Sequence, residues 1–325
     1  MIARALRVLV TLLLLAFVLS QVDMRELTAL ARSVDVRLIL LGYGLHLAMI
    51  VLNAWRWQIL VRAQGAILRI PRLVSYYFVG MFFNTFTPTS IGGDVARVLD
   101  LSKHTGRRST AFASILVERV VGLLVLLPVS LAGLAFSYPH LNGGRAPFLY
   151  LEGLLVAVLA ATVAFLEVER ARALLDRIPL VGRIVSRPAI QRRVASVQEA
   201  LDVYRGKRGV LSAAFWISVA SRGIWILSCY TFGRALGIGA PIASYFLVIP
   251  LVEVARMVPI SLSGLGIREG AIVVLFSFFG VASSAALGLS ILVYAPFLVN
   301  GLIGGLVYAA RGRNAAAADA VPRDA

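Results

Sequence analysis

The chain has 325 residues, of which 59% are hydrophobic and only 15% are charged. Soluble domains carry about 25% charged residues, and a membrane-spanning helix needs roughly 20 apolar residues. The composition therefore excludes a soluble globular enzyme and predicts several spans. The net charge is +16, from 32 Lys plus Arg against 16 Asp plus Glu. In a membrane protein such a charge is typical of arginine-rich cytoplasmic loops, so we expect no nucleic-acid partner.

The first half of the chain contains four apolar segments that we interpret as spans: 8–20, 38–61, 110–137 and 147–166. The first could be a signal peptide, but no good cleavage site follows it, so we predict an uncleaved helix that begins in the cytoplasm. The second ends with Trp55 and Trp57 beside Arg56 and Arg62, a combination typical of an interfacial anchor.

A shorter apolar segment, 73–87, is only about three-quarters of a crossing and ends in a break from Pro88 to Gly93. Basic residues flank it on both sides, so both flanks are predicted to be cytoplasmic. A re-entrant hairpin satisfies both flanks, since irregular backbone at membrane depth is tolerated where it lines a cavity. The rival topology has an outside N-terminus and residues 73–91 as a plain span. It ranks second because it places several arginines outside.

Residues 169–208 change in character, because ten basic residues fall there. Apolar residues recur at helical spacing from Ile190 to Tyr204, which is typical of an interfacial helix on an anionic leaflet. A charged cytoplasmic linker is the compatible alternative. We expect this segment to join the two halves of a single membrane domain, 1–313. The tail 314–325 is low in complexity, and we predict that it is disordered.

The second half of the chain repeats the pattern of the first. Spans at 210–232 and 286–309 enclose two short limbs, 242–255 and 271–281, around a second break from Pro259 to Gly266. The charges at the two ends place both flanks of this second hairpin outside. Two interrupted hairpins entering from opposite faces are typical of inverted-repeat transporters. The predicted fold is an all-α polytopic membrane bundle with about six full spans plus two re-entrant hairpins, or eight spans if the hairpins cross.

Ionisable side chains at membrane depth cost from about 2.5 kcal/mol upward and mark paths or sites. The set here is Asp94, Arg97, Glu118, Arg119, Arg222, Glu253, Arg256, Arg268 and Glu269. Asp94 with Arg97, and Glu253 with Arg256, are three apart and can pair on one helix face. The adjacent Glu118 and Arg119 diverge by about 100°, so each needs a partner on another helix. Arg222 has no acid within its own span.

Guanidinium groups bind phosphate bidentately, and glycine-rich breaks expose N–H groups that favour phosphate. The candidate headgroup-binding residues are therefore Arg97, Arg119, Arg222, Arg256, Arg268, Gly92, Gly93, Gly264 and Gly266. The acids Asp94, Glu118, Glu253 and Glu269 are candidate charge partners or proton carriers. The sequence contains no catalytic or nucleotide-binding motif. Its scattered histidines and lone Cys229 predict no metal site and no cofactor.

Three motifs carry a family resemblance: NTFTPTSIGGDVARVLDL (84–101), LVERVVGLLVLL (116–127) and PISLSGLGIREGAIVVLF (259–276). In this order and spacing they resemble the lysylphosphatidylglycerol synthase transmembrane region, or flippase-like domain, over roughly residues 5 to 310. The resemblance implies an inner-membrane helical bundle that moves lipids. Its recurrent motifs match Gly92, Gly93, Asp94, Arg97, Glu118, Arg119, Gly264, Gly266, Arg268 and Glu269. The bifunctional members carry a soluble aminoacyl-transferase domain that does not follow Arg313 here, so lysyl-lipid synthesis is not expected.

The leading hypothesis is a flippase in the cell inner membrane, with both termini cytoplasmic. It would move a lipid with a polar, anionic headgroup: a phospholipid, a hopanoid or a polyprenyl-phosphate-linked lipid. One alternative is a membrane enzyme acting on lipid headgroups, for which Glu118, Glu253 and Glu269 are the candidate acids. The other is a non-catalytic partner of a lipid-synthesising or glycosyltransferase enzyme. The sequence leaves the lipid, the energy source and the oligomeric state open.

Overall fold

The structure is a computed structural model that describes residues 25, 32–86, 91–141, 146–166, 199–257 and 264–319. Within these residues every regular element is a helix, which confirms the all-α prediction. The predicted first span 8–20, most of the basic segment 169–208 and the end of the tail lie outside the described residues.

All but one of the helices follow the predicted apolar segments closely, and the exception is the polar helix Gly92–Thr105, for which no segment was predicted. The helices are α1 (Val36–Ala63), α2 (Ile70–Phe86), α3 (Gly92–Thr105), α4 (Arg108–Ser137), α5 (Ala146–Leu166), α6 (Arg208–Ala235), α7 (Ile242–Ala255), α8 (Ile267–Ser277) and α9 (Ser283–Asp319), with a 3-10 turn at Tyr138–His140. Four segments of the described chain are long and apolar enough to cross a membrane: Val36–Ala63, Arg108–His140, Arg208–Ala235 and Ser283–Arg311. The protein is therefore a polytopic helical membrane protein.

Helices α2 and α3 form an antiparallel pair, the first hairpin. Near its tip Asn84 Oδ1 accepts a hydrogen bond of 2.8 Å from the Gly93 amide, and at its base Arg72 lies 3.2 Å from His104. Gly93 makes this approach possible, because a β-carbon there would overlap the carbonyl oxygen of Gly80. The 17 residues of α2 span about 25 Å, against about 42 Å for the 28 residues of α1, at 1.5 Å per residue. The tip therefore ends inside the bundle.

Helices α7 and α8 form the second hairpin, which is also antiparallel. The rings of Tyr245 and Phe276 pack 4.8 Å apart between their centroids near its base. Near its tip, a β-carbon on Gly264 would lie 3.0 Å from Cγ of Arg256. Gly264 and Gly266 have φ of +78° and +82°, a region that favours glycine, so they shape the turn that leads into α8.

The two halves form an inverted repeat. Counterpart helices begin at nearly constant offsets along the chain: Val36 and Arg208, Ile70 and Ile242, Gly92 and Ile267, Arg108 and Ser283. The first counterparts, α1 and α6, pack antiparallel. The Asp35 amide donates to the Ala235 carbonyl over 3.2 Å at one end, and Arg56 bonds Ser218 over 2.7 Å towards the other. Each hairpin follows the end of its own first helix, so the two hairpins enter the bundle from opposite ends, as the sequence predicted.

Each hairpin packs on the helix that follows the hairpin of the other half, α9 for the first and α4 for the second, and a glycine sits at backbone contact in both interfaces. A β-carbon on Gly304 of α9 would overlap the Phe78 carbonyl of α2. A β-carbon on Gly133 of α4 would overlap the backbone between Phe246 and Leu247 of α7. Because each hairpin packs against a helix of the other half, the ends of both hairpins lie near each other in the centre of the bundle.

The described end of the basic segment docks on the end of α1. Residues 199–205 are helical, and the Tyr204 hydroxyl donates a 2.9 Å bond to the Leu60 carbonyl. Lys207 Nζ donates a 2.6 Å bond to the carbonyl of Ala63, the last residue of α1. These contacts cap carbonyl groups that no further helical turn would satisfy.

Candidate functional site

A cavity of about 400 Å³ lies where the two hairpin tips meet. Asn84 and Thr85 line it from the first tip, and Arg256 and Met257 line it from the second. The remaining walls come from α1, α3, α4, α6 and α9. Its charged lining residues are Arg56, Arg97, Arg119, Arg222, Arg256, Asp94, Glu118 and Glu253, so arginines outnumber acids.

Glu118 of α4 is the centre of a buried ion network on the first half's side of the cavity. Its carboxylate accepts a 2.9 Å bond from Arg56 of α1, and further bonds from Arg97 of α3 and from the Tyr77 hydroxyl of α2. Both guanidinium groups and the carboxylate are almost fully buried. Breaking one partner of such a buried pair is strongly destabilising, so this network fastens four helices of the first half together.

The Arg97 side chain is held from several directions. Its guanidinium carbon lies 4.1 Å from the ring centroid of Trp57 and 4.0 Å from that of Tyr77, which is cation–π geometry. The predicted partner Asp94 is more distant, at 3.7 Å. Asp94 instead bonds Arg119 of α4 more closely, at 2.7 Å. Glu118 and Arg119 thus both find partners outside their own helix α4, as the 100° divergence between them predicted.

Among the described residues, the second half contributes to the cavity lining one ion pair and one arginine without an acid. Arg222 of α6 pairs with Glu253 of α7, so the predicted Glu253–Arg256 pairing is wrong. Arg256 lies beyond the last residue of α7, and its side chain packs along the turn at Gly264 instead. No described carboxylate lies within ion-pair distance of Arg256, and its buried Nε has no hydrogen-bond partner among the described residues.

Arg268 and Glu269 begin α8 and bond each other rather than facing the main cavity. Arg268 Nε lies 3.3 Å from the Ser290 hydroxyl of α9, and its guanidinium carbon lies 4.0 Å from the Tyr294 ring centroid. Both residues are buried. Arg268 and Arg256 line a side pocket of about 20 Å³, which is room for about one water.

The candidate glycines have a packing role in the described structure. The Gly93 amide donates to Asn84, and the Gly266 amide donates a 2.7 Å bond to Glu269 Oε2. Both amides are therefore occupied by side chains of their own hairpins, which differs from the exposed N–H groups that the sequence suggested. Gly92 is the first residue of α3, and Gly264 is buried in the second turn. None of the four lines the cavity.

Sequence reasoning missed Arg56, Trp57 and Tyr77 as parts of the site. The interfacial anchor predicted there is wrong for Arg56 and Trp57, which are 7% and 0% exposed. Of the four predicted anchor residues, Trp55 and Arg62 are exposed, Trp55 at 44%. Asn53 lies three residues before Arg56, and this polar helical spacing was the one signal that could have revealed an inward face. Among the described residues, no group of His, Cys, Asp or Glu could hold a metal ion.

Comparison with known proteins decides the family. The family of the lysylphosphatidylglycerol synthase TM region matches residues 4–304. The chain belongs to this family. It is also similar to UPF0104 membrane proteins of three archaea. It is 24% identical over 293 residues to one of Pyrococcus horikoshii, covering 84% of this chain and 87% of the relative. It is 20% identical over 296 residues to one of Methanocaldococcus jannaschii, covering 87% of both. It is 26% identical over 301 residues to one of Methanothermobacter thermautotrophicus, again covering 87% of both. No solved structure matches the chain.

Proposed function

We propose that the protein is a flippase that moves a lipid with an anionic headgroup between the leaflets of the inner membrane. The headgroup, from a phospholipid, a hopanoid or a polyprenyl-phosphate-linked lipid, enters the cavity between the hairpin tips. The acyl or prenyl chains stay in the surrounding lipid.

One observation carries this proposal: Arg256 lines the cavity without an acidic partner among the described residues. Arg256 is partly buried with its Nε enclosed, and a cation withdrawn from water is costly unless it is paired. A phosphate from a ligand would supply the missing partner and bind the guanidinium bidentately. Arg256 belongs to a hairpin tip, the part of an inverted-repeat transporter where substrates bind.

The charge balance of the whole lining points the same way. Arg56, Arg97 and Arg119 share the acids Asp94 and Glu118, so the network on the first side retains positive charge. Arg222 is neutralised by Glu253, and Arg256 adds a second uncompensated charge. A cavity of about 400 Å³ lies within the range of small-molecule sites, about 300–1,000 Å³. It favours a compact headgroup over a long oligosaccharide.

Transport follows from rocking of the two halves about the cavity, as in other inverted repeats. We place both termini in the cytoplasm from the distribution of arginine. The partners that we propose are membrane lipids and an enzyme that synthesises the lipid or acts on it as a glycosyltransferase. The cavity acids Glu118 and Glu253 are both held by arginines, and neither is placed for acid–base chemistry. We therefore favour a transporter over a headgroup-modifying enzyme.

The test is flipping of fluorescent lipids in proteoliposomes that contain the purified full chain. The probes are fluorescent phosphatidylglycerol and polyprenyl phosphate, with zwitterionic phosphatidylcholine for comparison. Loss of a charge-assisted bond of about 1.5–3 kcal/mol predicts that R256A slows the anionic probes at least about tenfold. The control R205A removes an exposed arginine paired with Asp202 outside the cavity and should leave the rate unchanged. Equal rates for folded R256A and wild type, or no flipping of any anionic probe, would overturn the proposal.

A further inference from the structure

One buried carboxyl group lies outside the cavity and outside the predicted site. Glu152 is the single charged residue of the apolar helix α5, and it is 5% exposed. Sequence reasoning passed over it because its helix otherwise resembles an ordinary span. An acid in such a position is costly unless it is paired or neutral.

The surroundings of Glu152 contain no cation among the described residues. Phe148 packs against Phe278 at 5.3 Å between centroids, and Leu155 packs among apolar residues of α4 and α7. The ionisable residues of the helices packed on α5 are engaged elsewhere. Glu118 and Arg119 lie in the first half of α4 within the ion network, and Glu253 of α7 is held by Arg222. His140, beyond the end of α4, is exposed.

The oxygen contacts of Glu152 indicate where its proton is. Glu152 Oε2 lies 3.0 Å from the Ser130 hydroxyl of α4, and that hydroxyl lies 3.1 Å from the Leu127 carbonyl. A serine hydroxyl has one hydrogen and two lone pairs. The hydroxyl is placed to donate either to Glu152 Oε2 or to the Leu127 carbonyl but not to both, so the carboxyl group receives at most one hydrogen bond from it. If the hydroxyl donates to the carbonyl, as serine hydroxyls in helices commonly do, the acid supplies the hydrogen of the Glu152 contact. Glu152 Oε1 has no partner among the described residues, whereas an ionised carboxylate would need several donors.

We propose that Glu152 is a proton-binding site of this protein and is a neutral acid in the present conformation. The sequence had suggested Glu118 or Glu253 as the proton carrier. Both are bonded to arginines, so each is held in an ion pair. Glu152 has the opposite surroundings, so it is the buried carboxyl that can exchange a proton.

The position of Glu152 links this proton to the second hairpin. Ser130 follows Pro128, which interrupts the hydrogen bonds of α4 and makes a bend possible there. Gly133, one turn later, is at backbone contact with α7 of the second hairpin. Release of the proton creates an anion beside Ser130 that the apolar surroundings do not tolerate. Helices α4 and α5 must then separate or admit water, and α7 moves with α4.

Infrared spectroscopy of the full-length protein in lipid bilayers tests the site without any transport assay. Wild type at neutral pH should show the carbonyl band of a protonated carboxylic acid, with the small shift in heavy water that such a group gives. The isosteric E152Q should lack this band, and E253Q should retain it. S130A should keep the band at a shifted frequency, because only its hydrogen-bond partner is removed.

A hydrophobic carbodiimide gives a second readout that needs no variant. The reagent adds across the O–H of a protonated acid, so one whole molecule becomes attached to the carboxyl oxygen and none is released. Mass spectrometry should find this addition on the peptide with Glu152, decreasing as the pH is raised. The proposal is overturned if wild type shows no carboxylic acid band that E152Q removes and S130A shifts. A carbodiimide adduct on the protein would not change that conclusion. Since neither readout measures flipping, the result is independent of the proposed function.

Discussion

The two hairpins share a backbone plan but differ in how their charges are satisfied. At the first hairpin, arginines from three helices share Glu118 and Asp94 in one network, braced by the rings of Trp57 and Tyr77. At the second hairpin the pairs are separate, Arg222 with Glu253 and Arg268 with Glu269, and Arg256 has no acid among the described residues. On the first side every arginine of the network therefore bonds an acid, while the second side has an arginine without one among the described residues. The two halves of a duplicated fold can thus differ in how completely their charges are paired.

The largest expected effect comes from opening the first network. E118Q removes the charge that Arg56 and Arg97 share in a buried position, and loss of one partner of a buried pair costs about 3–5 kcal/mol. We expect a large fall in the thermal unfolding temperature of the detergent-solubilised protein. The matched change E253Q should cost clearly less, because Glu253 bonds a single arginine and its side chain is 26% exposed. Equal losses for the two variants would contradict the difference between the hairpins.

An intermediate effect is expected at the two glycine contacts, where the halves should behave alike. G304A and G133A each place a methyl group against backbone of the opposing hairpin, and overpacking typically costs about 1–3 kcal/mol. The two variants should lower the unfolding temperature by similar amounts. G153A is the control, since no atom lies within 4 Å of its new β-carbon. A lower unfolding temperature for only one of the two variants would show that the two interfaces do not contribute equally to stability.

The smallest effect is expected at the edge of the first network. The Arg119 side chain is 55% exposed in its pair with Asp94, and exposed pairs contribute about 0–1 kcal/mol. R119A should therefore change the unfolding temperature little, and added salt should reduce the difference further. A loss comparable to that of E118Q would mean that the network continues through Asp94 rather than ending there.

Much of the fold follows from local pattern. Apolar segments and their breaks located the start of every described helix within a few residues except α3, a polar helix for which no segment was predicted. The arginine distribution required hairpins from opposite ends, which α1 and α6 confirm by running antiparallel. Span length and the sum of flanking charge are properties of short stretches of chain, so the sequence alone carries them.

Partner choice among the charged residues was less predictable. Helical spacing suggested Glu253 with Arg256, whereas the structure pairs Glu253 with Arg222 from another helix. Arg56 and Trp57 resembled a membrane-surface anchor but lie in the core. In each case the deciding contact joins residues far apart in the chain, and no local pattern reports it.

The sequence by itself determined that this is a helical membrane protein of two repeated halves with arginines at depth. Only the tertiary structure decided that, among the described residues, Arg256 in the cavity lacks an acid and Glu152 in α5 lacks a base. The reason is physical: the cost of a buried charge depends on the atoms within a few ångströms of it. For Arg256 and Glu152 those atoms are set by how the hairpins and α4 pack.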